Sequence, residues 1–79
     1  MNNKKVDGTN NVTFDNTQFV LQKFVHVGFS PLMVVIQSKD PLITFGFESF
    51  TETGFICNTY CISGVYSGTV EFVYEVTRP

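Results

Sequence analysis

Alternation of polar and apolar side chains is clearest over residues 69–77, close to the end of the chain. One set of alternate positions there is apolar or aromatic, whereas the other set is mostly glutamate and threonine. Period-two alternation puts such sets on opposite faces of a β-strand. We therefore predict an antiparallel strand in which Phe72 and Tyr74 face the core and Glu71 and Glu75 face water.

Turn-forming residues divide the preceding sequence into shorter segments that are rich in β-branched and aromatic residues. These turns contain Gly28-Phe29-Ser30-Pro31, Lys39-Asp40-Pro41 and Glu52-Thr53-Gly54. Alanine does not occur in the chain, which further disfavours helices. The predicted strands cover residues 12–14, 18–27, 32–38, 42–50, 55–62 and 69–77. Short strands at this spacing predict an all-β fold, a small antiparallel β-sandwich of about six strands.

The predicted strand over residues 32–36 is apolar on both faces. Strands of this kind lie in positions that are covered on both sides, and a chain of 79 residues cannot supply two complete covering layers. The missing cover must come from other copies of the chain or from a neighbouring protein. We therefore expect an obligate oligomer.

Residues 1–11 differ from the rest of the chain in composition. They are dominated by asparagine, lysine and other polar residues, and after the first methionine Val6 is the one side chain suited to a core. The sequence thus predicts a flexible N-terminal arm over residues 1–11 and a β-sandwich domain over residues 12–79.

Charge and composition exclude some classes of function. Five Lys and Arg against seven Asp and Glu give a net charge of −2, which provides no basic surface for nucleic acid. No apolar stretch follows the polar N-terminus, so we expect no signal peptide. The longest apolar run, residues 32–36, is far shorter than the ~20 residues that span a bilayer, so we expect no membrane partner and synthesis in a cytoplasm.

Catalytic and metal chemistry find little support in the sequence. Cys57 and Cys61 are too far apart for a disulfide if they share one continuous strand, although a tight turn between them would bring them together. A cytoplasmic origin favours reduced thiols. His26 is the single histidine, and with two cysteines it leaves a closed zinc site one ligand short. We expect no catalytic residue, no metal and no cofactor.

Tyr60 and Tyr66 are the candidate ligand-binding residues, because both fall in or beside predicted loops. A flat aromatic ring that carries a hydroxyl suits the face and the edge of a sugar. The alternative is that both tyrosines cap one end of the sandwich or fill a contact between subunits.

The order of motifs from residue 24 onward resembles small β-sandwich modules of phage tail fibres and head fibres, which are similar to H-type lectin domains. The matching pieces are Gly28-Phe29-Ser30-Pro31 running into Leu32-Met33-Val34-Val35-Ile36, Thr53-Gly54-Phe55 opening a strand, and the alternating strand Thr69–Val76. The resemblance extends over about two-thirds of the chain. The tryptophan often found in the closing strand of such modules is missing here, and no sugar-contacting residue can be carried across.

The resemblance implies a homotrimer on the surface of a virion. We accordingly predict a non-enzymatic virion structural protein, a bacteriophage fibre or capsid decoration component, that is made in the host cytoplasm and attaches to other virion proteins through its N-terminal arm. The alternative is a lectin-like module that binds a host-surface glycan during host attachment.

Overall fold

The structure, a computed structural model, describes residues 4–79. Six strands follow one another along this stretch: β1 (Lys4–Thr17), β2 (Phe19–His26), β3 (Met33–Ser38), β4 (Ile43–Phe50), β5 (Gly54–Cys61) and β6 (Tyr66–Arg78). The predicted all-β class is confirmed, and five of the six predicted strands lie within a few residues of the observed ones. The part of the chain described by the structure contains no helix that is long and apolar enough to cross a membrane.

The strands form two antiparallel sheets of three strands each. The β6 sheet has the order β1-β6-β3, and the β5 sheet has the order β2-β5-β4. Each sheet is therefore centred on one of the last two strands, and four strands lie at edges. Because β1 continues into β2 and β3 into β4, the chain changes sheet at both sides of the sandwich.

The core lies between the two sheets in two adjoining clusters. One contains Val12, Phe14, Ile43, Cys61 and Val70, and the other contains Val25, Phe55, Cys57, Phe72 and Val76. Phe45 packs against both clusters, and its ring centroid lies 4.5 Å from that of Phe72. Phe72 is fully buried and Glu71 is exposed, so the predicted facing of the closing strand is confirmed.

The prediction of a flexible arm is wrong for residues 4–11. These residues form the first half of β1 and pair in register with residues 71–78 of β6. Backbone hydrogen bonding recruits them even though their side chains are polar, and the ring of Tyr74 lies where a side chain at Gly8 would be. Residues 1–3 of the predicted arm lie outside the described residues.

Two β-bulges interrupt the regular pairing of the first two strands. The register shifts between Phe14 and Thr17 in β1 and again between Val20 and Lys23 in β2. A residue with positive φ lies in each shift, Asn16 at 52° and Gln22 at 58°. Since a bulge reverses the alternation of side chains beyond it, the faces of β2 cannot be read by counting alternate residues.

The bulge in β2 determines which of its side chains face the core. Uninterrupted alternation would put Phe19 and Val25 on the same side of the strand, but Phe19 pairs with exposed Tyr60 and Val25 pairs with buried Phe55. Phe19 therefore lies on the outer face of the β5 sheet, whereas Val25 lies in the core.

Candidate functional site

The outer face of the β5 sheet carries a shallow groove, which we call the aromatic groove. Its volume is about 350 Å³, and it lies across all three strands of the sheet. Its lining residues are Phe19, Leu21, Thr44, Phe45, Gly46, Asn58, Thr59 and Tyr60.

Tyr60 and Phe19 form the aromatic wall of this groove. They are directly paired across β2 and β5, and their ring centroids lie 4.9 Å apart with the planes tilted by 42°. The side-chain amide of Gln18 donates a hydrogen bond to the Tyr60 hydroxyl at 3.2 Å and another to the Cys61 carbonyl at 3.1 Å. Gln18 thus links the phenol to the backbone of β5 and limits the orientations available to the ring.

The bulge in β2 shapes the opposite part of the groove. At Gln22 the backbone N–H turns away from the regular ladder and donates to the side-chain carbonyl of Asn58 at 2.8 Å. The Asn58 amide in turn donates to the Glu48 carboxylate at 3.3 Å. The adjacent Leu21 lines the same groove and is 65% exposed, so apolar side chains and the Asn58 amide lie within one groove.

Gly46 leaves the groove open at the edge strand. It lies opposite Asn58 in the β4–β5 ladder, and no heavy atom lies within 4 Å of the position that a β-carbon would take. A side chain at this position would project into the free space. The groove therefore depends on the absence of a side chain at residue 46.

Of the two predicted ligand-binding tyrosines, Tyr60 lines the aromatic groove and Tyr66 does not. Tyr66 is half-buried at the start of β6, where its ring meets the Phe14 ring edge-to-face at 5.5 Å and packs against the core cluster that contains Phe14. This placement agrees with the alternative considered for Tyr66, in which the ring caps one end of the sandwich.

The cysteines and the histidine lie on opposite faces of the β5 sheet. Cys57 and Cys61 are free thiols that point into the core from β5, whereas His26 is exposed and pairs with Gly54 on the outer face. Because both cysteines lie on one continuous strand, the open alternative of a turn between them is removed. Among residues 4–79 no group of three or more His, Cys, Asp or Glu side chains could hold a metal ion.

Burial also makes Cys57 a poor nucleophile. Loss of hydration raises the pKa of its thiol from 9.0 to about 11, and nearby Lys23 opposes part of this rise. The thiolate is the reactive form of cysteine, so little of it exists at neutral pH.

A second and wider hollow, of about 660 Å³, lies on the outer face of the β6 sheet. Asp7, Thr9, Gln37 and Glu75 give it a polar lining, with Val35 and Val73 between them. Asp7 and Glu75 are directly opposed in the β1–β6 ladder, and Lys5 approaches Glu75 at 3.6 Å. The groups that line this hollow are those of an ordinary solvated sheet face.

The sequence singles out Tyr60 as a candidate but none of the residues that surround it in the groove. Unbroken alternation over residues 18–27 would place Phe19 and Leu21 on the face that carries Val25, and Asn58 lies between Cys57 and Cys61, where the sequence leaves a tight turn open. The Gln22 bulge carries no recognisable signal, since glutamine rarely adopts positive φ. Gly46 between two phenylalanines was the one available sign, because glycine inside a strand often marks a bulge or an open surface.

No family model, curated protein or solved structure matches this chain.

Proposed function

We propose that this protein is a non-enzymatic assembly module, a homotrimeric component of a virion surface such as a phage fibre or a capsid decoration. The observation that carries this proposal is the amount of apolar side chain that the folded chain leaves uncovered. Ten apolar residues are buried in its core, whereas thirteen large hydrophobic residues are exposed among residues 4–79.

The exposed apolar side chains are concentrated rather than scattered. Phe19, Leu21, Phe24 and Tyr60 lie on or beside the outer face of the β5 sheet. Met33 and Val35 lie on the edge strand β3, and Leu32 directly precedes it. Monomeric proteins rarely expose contiguous apolar areas above a few hundred Å². Burial at about 25 cal/mol per Å² gives a strong drive for copies of such a chain to associate.

The placement on a virion rests on the resemblance to fibre modules given by residues 28–36, 53–55 and 69–76. Attachment to other virion proteins would use the N-terminal stretch, as the sequence predicts. Its residues 4–11 lie in edge strand β1, which pairs with β6 on one side only. An edge of this kind can accept a further strand from another protein.

Multi-angle light scattering on the purified chain tests the assembly. At micromolar concentration we expect a mass three times the 8.9 kDa of one chain, decreasing only on strong dilution. A folded monomer across the whole concentration range would contradict the proposal. Cryo-electron microscopy of intact particles tests the virion placement, because the chain should be visible on the particle surface. Purified particles that lack the chain would contradict this placement.

The aromatic groove supports a second candidate, binding of a host-surface glycan. The groove joins an apolar wall made by Tyr60 and Phe19 to the side-chain amide of Asn58, and Gly46 leaves its edge open. Sugars combine an apolar ring face with hydroxyl groups, and ligand sites commonly join an apolar lining to a few placed polar groups. Tyr66 does not line the groove, so its role in ligand binding stays a prediction from the sequence.

A glycan array with two variants tests this candidate. Gly46→Val fills the groove at a position with free space and should abolish binding while the protein stays folded. Asn11→Val adds the same side chain at an exposed position of the β6 sheet and should leave binding unchanged. An array on which the unmodified protein binds nothing, or binding that survives Gly46→Val, would exclude the groove as a glycan site.

A further inference from the structure

Four of the five cationic side chains of the protein lie along one side of the sandwich. They are Lys4, Lys5, Lys23 and Arg78. β1 and β2 are edge strands of the two sheets, and a single residue separates them along the chain, so both edges lie on this side. The fifth cation, Lys39, follows β3 and is paired with Glu71 at 3.0 Å. We call the side that carries the other four cations the basic edge.

Three cations of the basic edge project from the core side of their sheets. Lys23 is directly paired with Cys57, whose side chain is completely buried. Arg78 follows completely buried Val76 by two residues and is directly paired with Lys4. Alternate residues of a strand share a face, and so do directly paired residues. These three charges therefore lie at the margin of the space between the two sheets.

The nearest carboxylates in the β1–β6 ladder lie on the other face. Asp7 and Glu75 are directly opposed on the outer side of the β6 sheet. On the core side Lys4 and Arg78 are directly opposed, which places two like charges together. The Arg78 guanidinium lies over the Phe29 ring at 4.9 Å, and among residues 4–79 neither cation forms an ion pair. The core side of the basic edge thus lacks a counter-charge of its own.

The core-side cations are spread over the length of an extended peptide. Cys57, the residue paired with Lys23, packs in the same core cluster as Phe72. Phe72 is in turn paired with Asn10 of β1, so Lys23 lies near the level of Asn10 along that strand. From Asn10 back to Lys4 the strand extends about 20 Å, at ~3.3 Å per residue. An added strand of ordinary length would therefore pass all three core-side cations.

The backbone of β1 is available for pairing on this side. Among the described strands β1 is hydrogen-bonded to β6 alone, and its register is regular from Lys4 to Phe14. Such an edge presents a row of N–H and C=O groups that a further strand can pair with. Val6 is paired with buried Val76 and is still 36% exposed, so apolar surface is left uncovered beside the cations.

We propose that the edge of β1 accepts an extended acidic segment of a partner protein, which adds a fourth strand to the β6 sheet. This inference rests on the attachment proposed above for residues 4–11 and adds the chemistry of the partner. It needs neither the virion placement nor the homotrimer. Lysines on an edge strand disfavour indiscriminate pairing, so that here a complementary negative charge selects the strand that binds.

Three synthetic peptides test this selection by fluorescence anisotropy. Valine alternates in them with glutamate, threonine or lysine. At about 0.1 M salt we expect the glutamate peptide to bind at least about tenfold more tightly than the threonine peptide, because it faces three cations, and we expect the lysine peptide not to bind. In 1 M salt, where the Debye length is about 3 Å, most of this preference should disappear.

Two variants with the same change of net charge locate the binding site. Lys4→Glu replaces the like-charge pair with Arg78 by an opposite-charge pair, so the fold should persist while the glutamate peptide binds roughly tenfold more weakly. Lys39→Glu changes a cation outside the basic edge and should leave the affinity within about twofold, because at ~0.1 M salt charges act over only about 10 Å. Equal weakening in both variants would overturn the proposed site.

Hydrogen exchange on the unmodified chain tests the added strand itself. With the glutamate peptide bound, the backbone amides of β1 should exchange at least about tenfold more slowly, because their edge is covered. Amides of β3, the other edge strand of the same sheet, should not change. Slowing at β3 rather than β1 would overturn the inference. Slowing at β1 that depends on protein concentration without peptide would assign the edge to a second copy and would also overturn it.

The outcomes separate the acidic partner from the proposed function. Equal binding of all three peptides would overturn the acidic partner and leave attachment through the β1 edge intact. Failure of the glutamate peptide to bind would overturn the inference outright. The homotrimer is tested by the mass of the unmodified chain, which none of these peptide measurements decides.

Discussion

The outer face of the β6 sheet carries ion pairs beside the exposed Met33 and Val35 of β3, whereas the outer face of the β5 sheet is dominated by aromatic side chains. On the outer side of the β6 sheet, Lys39 contacts Glu71 at 3.0 Å and Lys5 contacts Glu75 at 3.6 Å. The outer side of the β5 sheet presents the aromatic wall of Phe19 and Tyr60 instead. The ion pairs therefore lie on one sheet, and the exposed aromatic wall lies on the other.

The two sheets also differ in how regularly their strands pair. β6 pairs without interruption with β3, and its pairing with β1 is regular from Lys4 to Phe14. In the β5 sheet both flanking strands shift register, β2 between Val20 and Lys23 and β4 between Phe47 and Ser49. Bulges re-aim side chains and are frequent near binding sites. Irregular pairing and uncovered apolar surface therefore coincide on the same sheet.

The largest effect is expected from Gly54→Ala at the start of β5. A β-carbon at residue 54 would overlap the backbone carbonyl of Val25, which cannot move without breaking the β2–β5 ladder. We expect a loss of more than about 4 kcal/mol, enough to prevent folding of a small domain. Circular dichroism and expression as soluble protein would measure it.

Gly46→Ala is the matched control in the same sheet. Its β-carbon meets no heavy atom within 4 Å and its φ is not positive, so stability should change by less than about 1 kcal/mol. Equal loss in both variants would show that glycine flexibility, rather than close packing at Gly54, matters in this sheet.

The unequal character of the two sheets explains how far the sequence could be interpreted. Alternation predicted the faces of β6 correctly, since no bulge interrupts Phe72 and its neighbours and charge marks the wet side. In β2 simple alternation does not hold beyond Val20, because the bulge at Gln22 makes a tertiary hydrogen bond to Asn58 that no local signal encodes.

The first half of β1 was missed for a related reason. Residues 4–11 lack an apolar pattern, and they become a strand because β6 offers them an edge to pair with at residues 71–78, much later in the chain. Intrinsic β-propensity is weak compared with this context. The aromatic groove combines both difficulties, so that only Tyr60 of its lining was predicted.

Phe72→Ala tests the interior that the two sheets share. Phe72 is completely buried at the centre of the β6 sheet and packs on Phe45 of the β5 sheet. Removing such a ring costs about 3–5 kcal/mol. We expect the midpoint of urea unfolding to fall steeply or the protein to be unfolded outright. A change below about 1 kcal/mol would mean that the sheets hold together mainly through the oligomer.

Alkaline pH should weaken the β5 sheet through Cys57. The pKa of this thiol is raised by burial from 9.0 to about 11, so between these values the unfolded chain releases a proton that the folded chain retains. Stability from this group is complete below pH 9 and decreases as the pH rises towards 11. The midpoints of urea unfolding at pH 7 and pH 10.5 measure the decrease. In the Cys57→Ala variant, the difference between these two midpoints should be smaller than in the unmodified protein. A variant with the same alkaline loss as the unmodified protein would contradict the assignment.

Thr59→Val should stabilise the interior side of the β5 sheet. The Thr59 hydroxyl is buried between the inward-facing Cys57 and Cys61 and has no hydrogen-bond partner among the described residues. An unsatisfied buried hydroxyl costs about 1–3 kcal/mol, and valine has nearly the same shape. We expect a gain of about 1 kcal/mol in thermal unfolding. A loss of stability would indicate that the hydroxyl has a partner, such as an ordered water.

Glu71→Gln should have the smallest effect, because it changes only the solvated face of the β6 sheet. The Glu71 and Lys39 side chains are 60% and 53% exposed, and ion pairs in such surroundings contribute about 0–1 kcal/mol. Glutamine keeps the shape of the side chain and can still accept a hydrogen bond from Lys39. The melting temperature should therefore shift by no more than the equivalent of ~0.5 kcal/mol, and less still at high salt. A larger loss that persists in 1 M salt, where the Debye length is about 3 Å, would mean that this face is covered in the assembly. The outer face of the β6 sheet would then be buried like the surface proposed for partners, and the contrast between the two sheets would not hold.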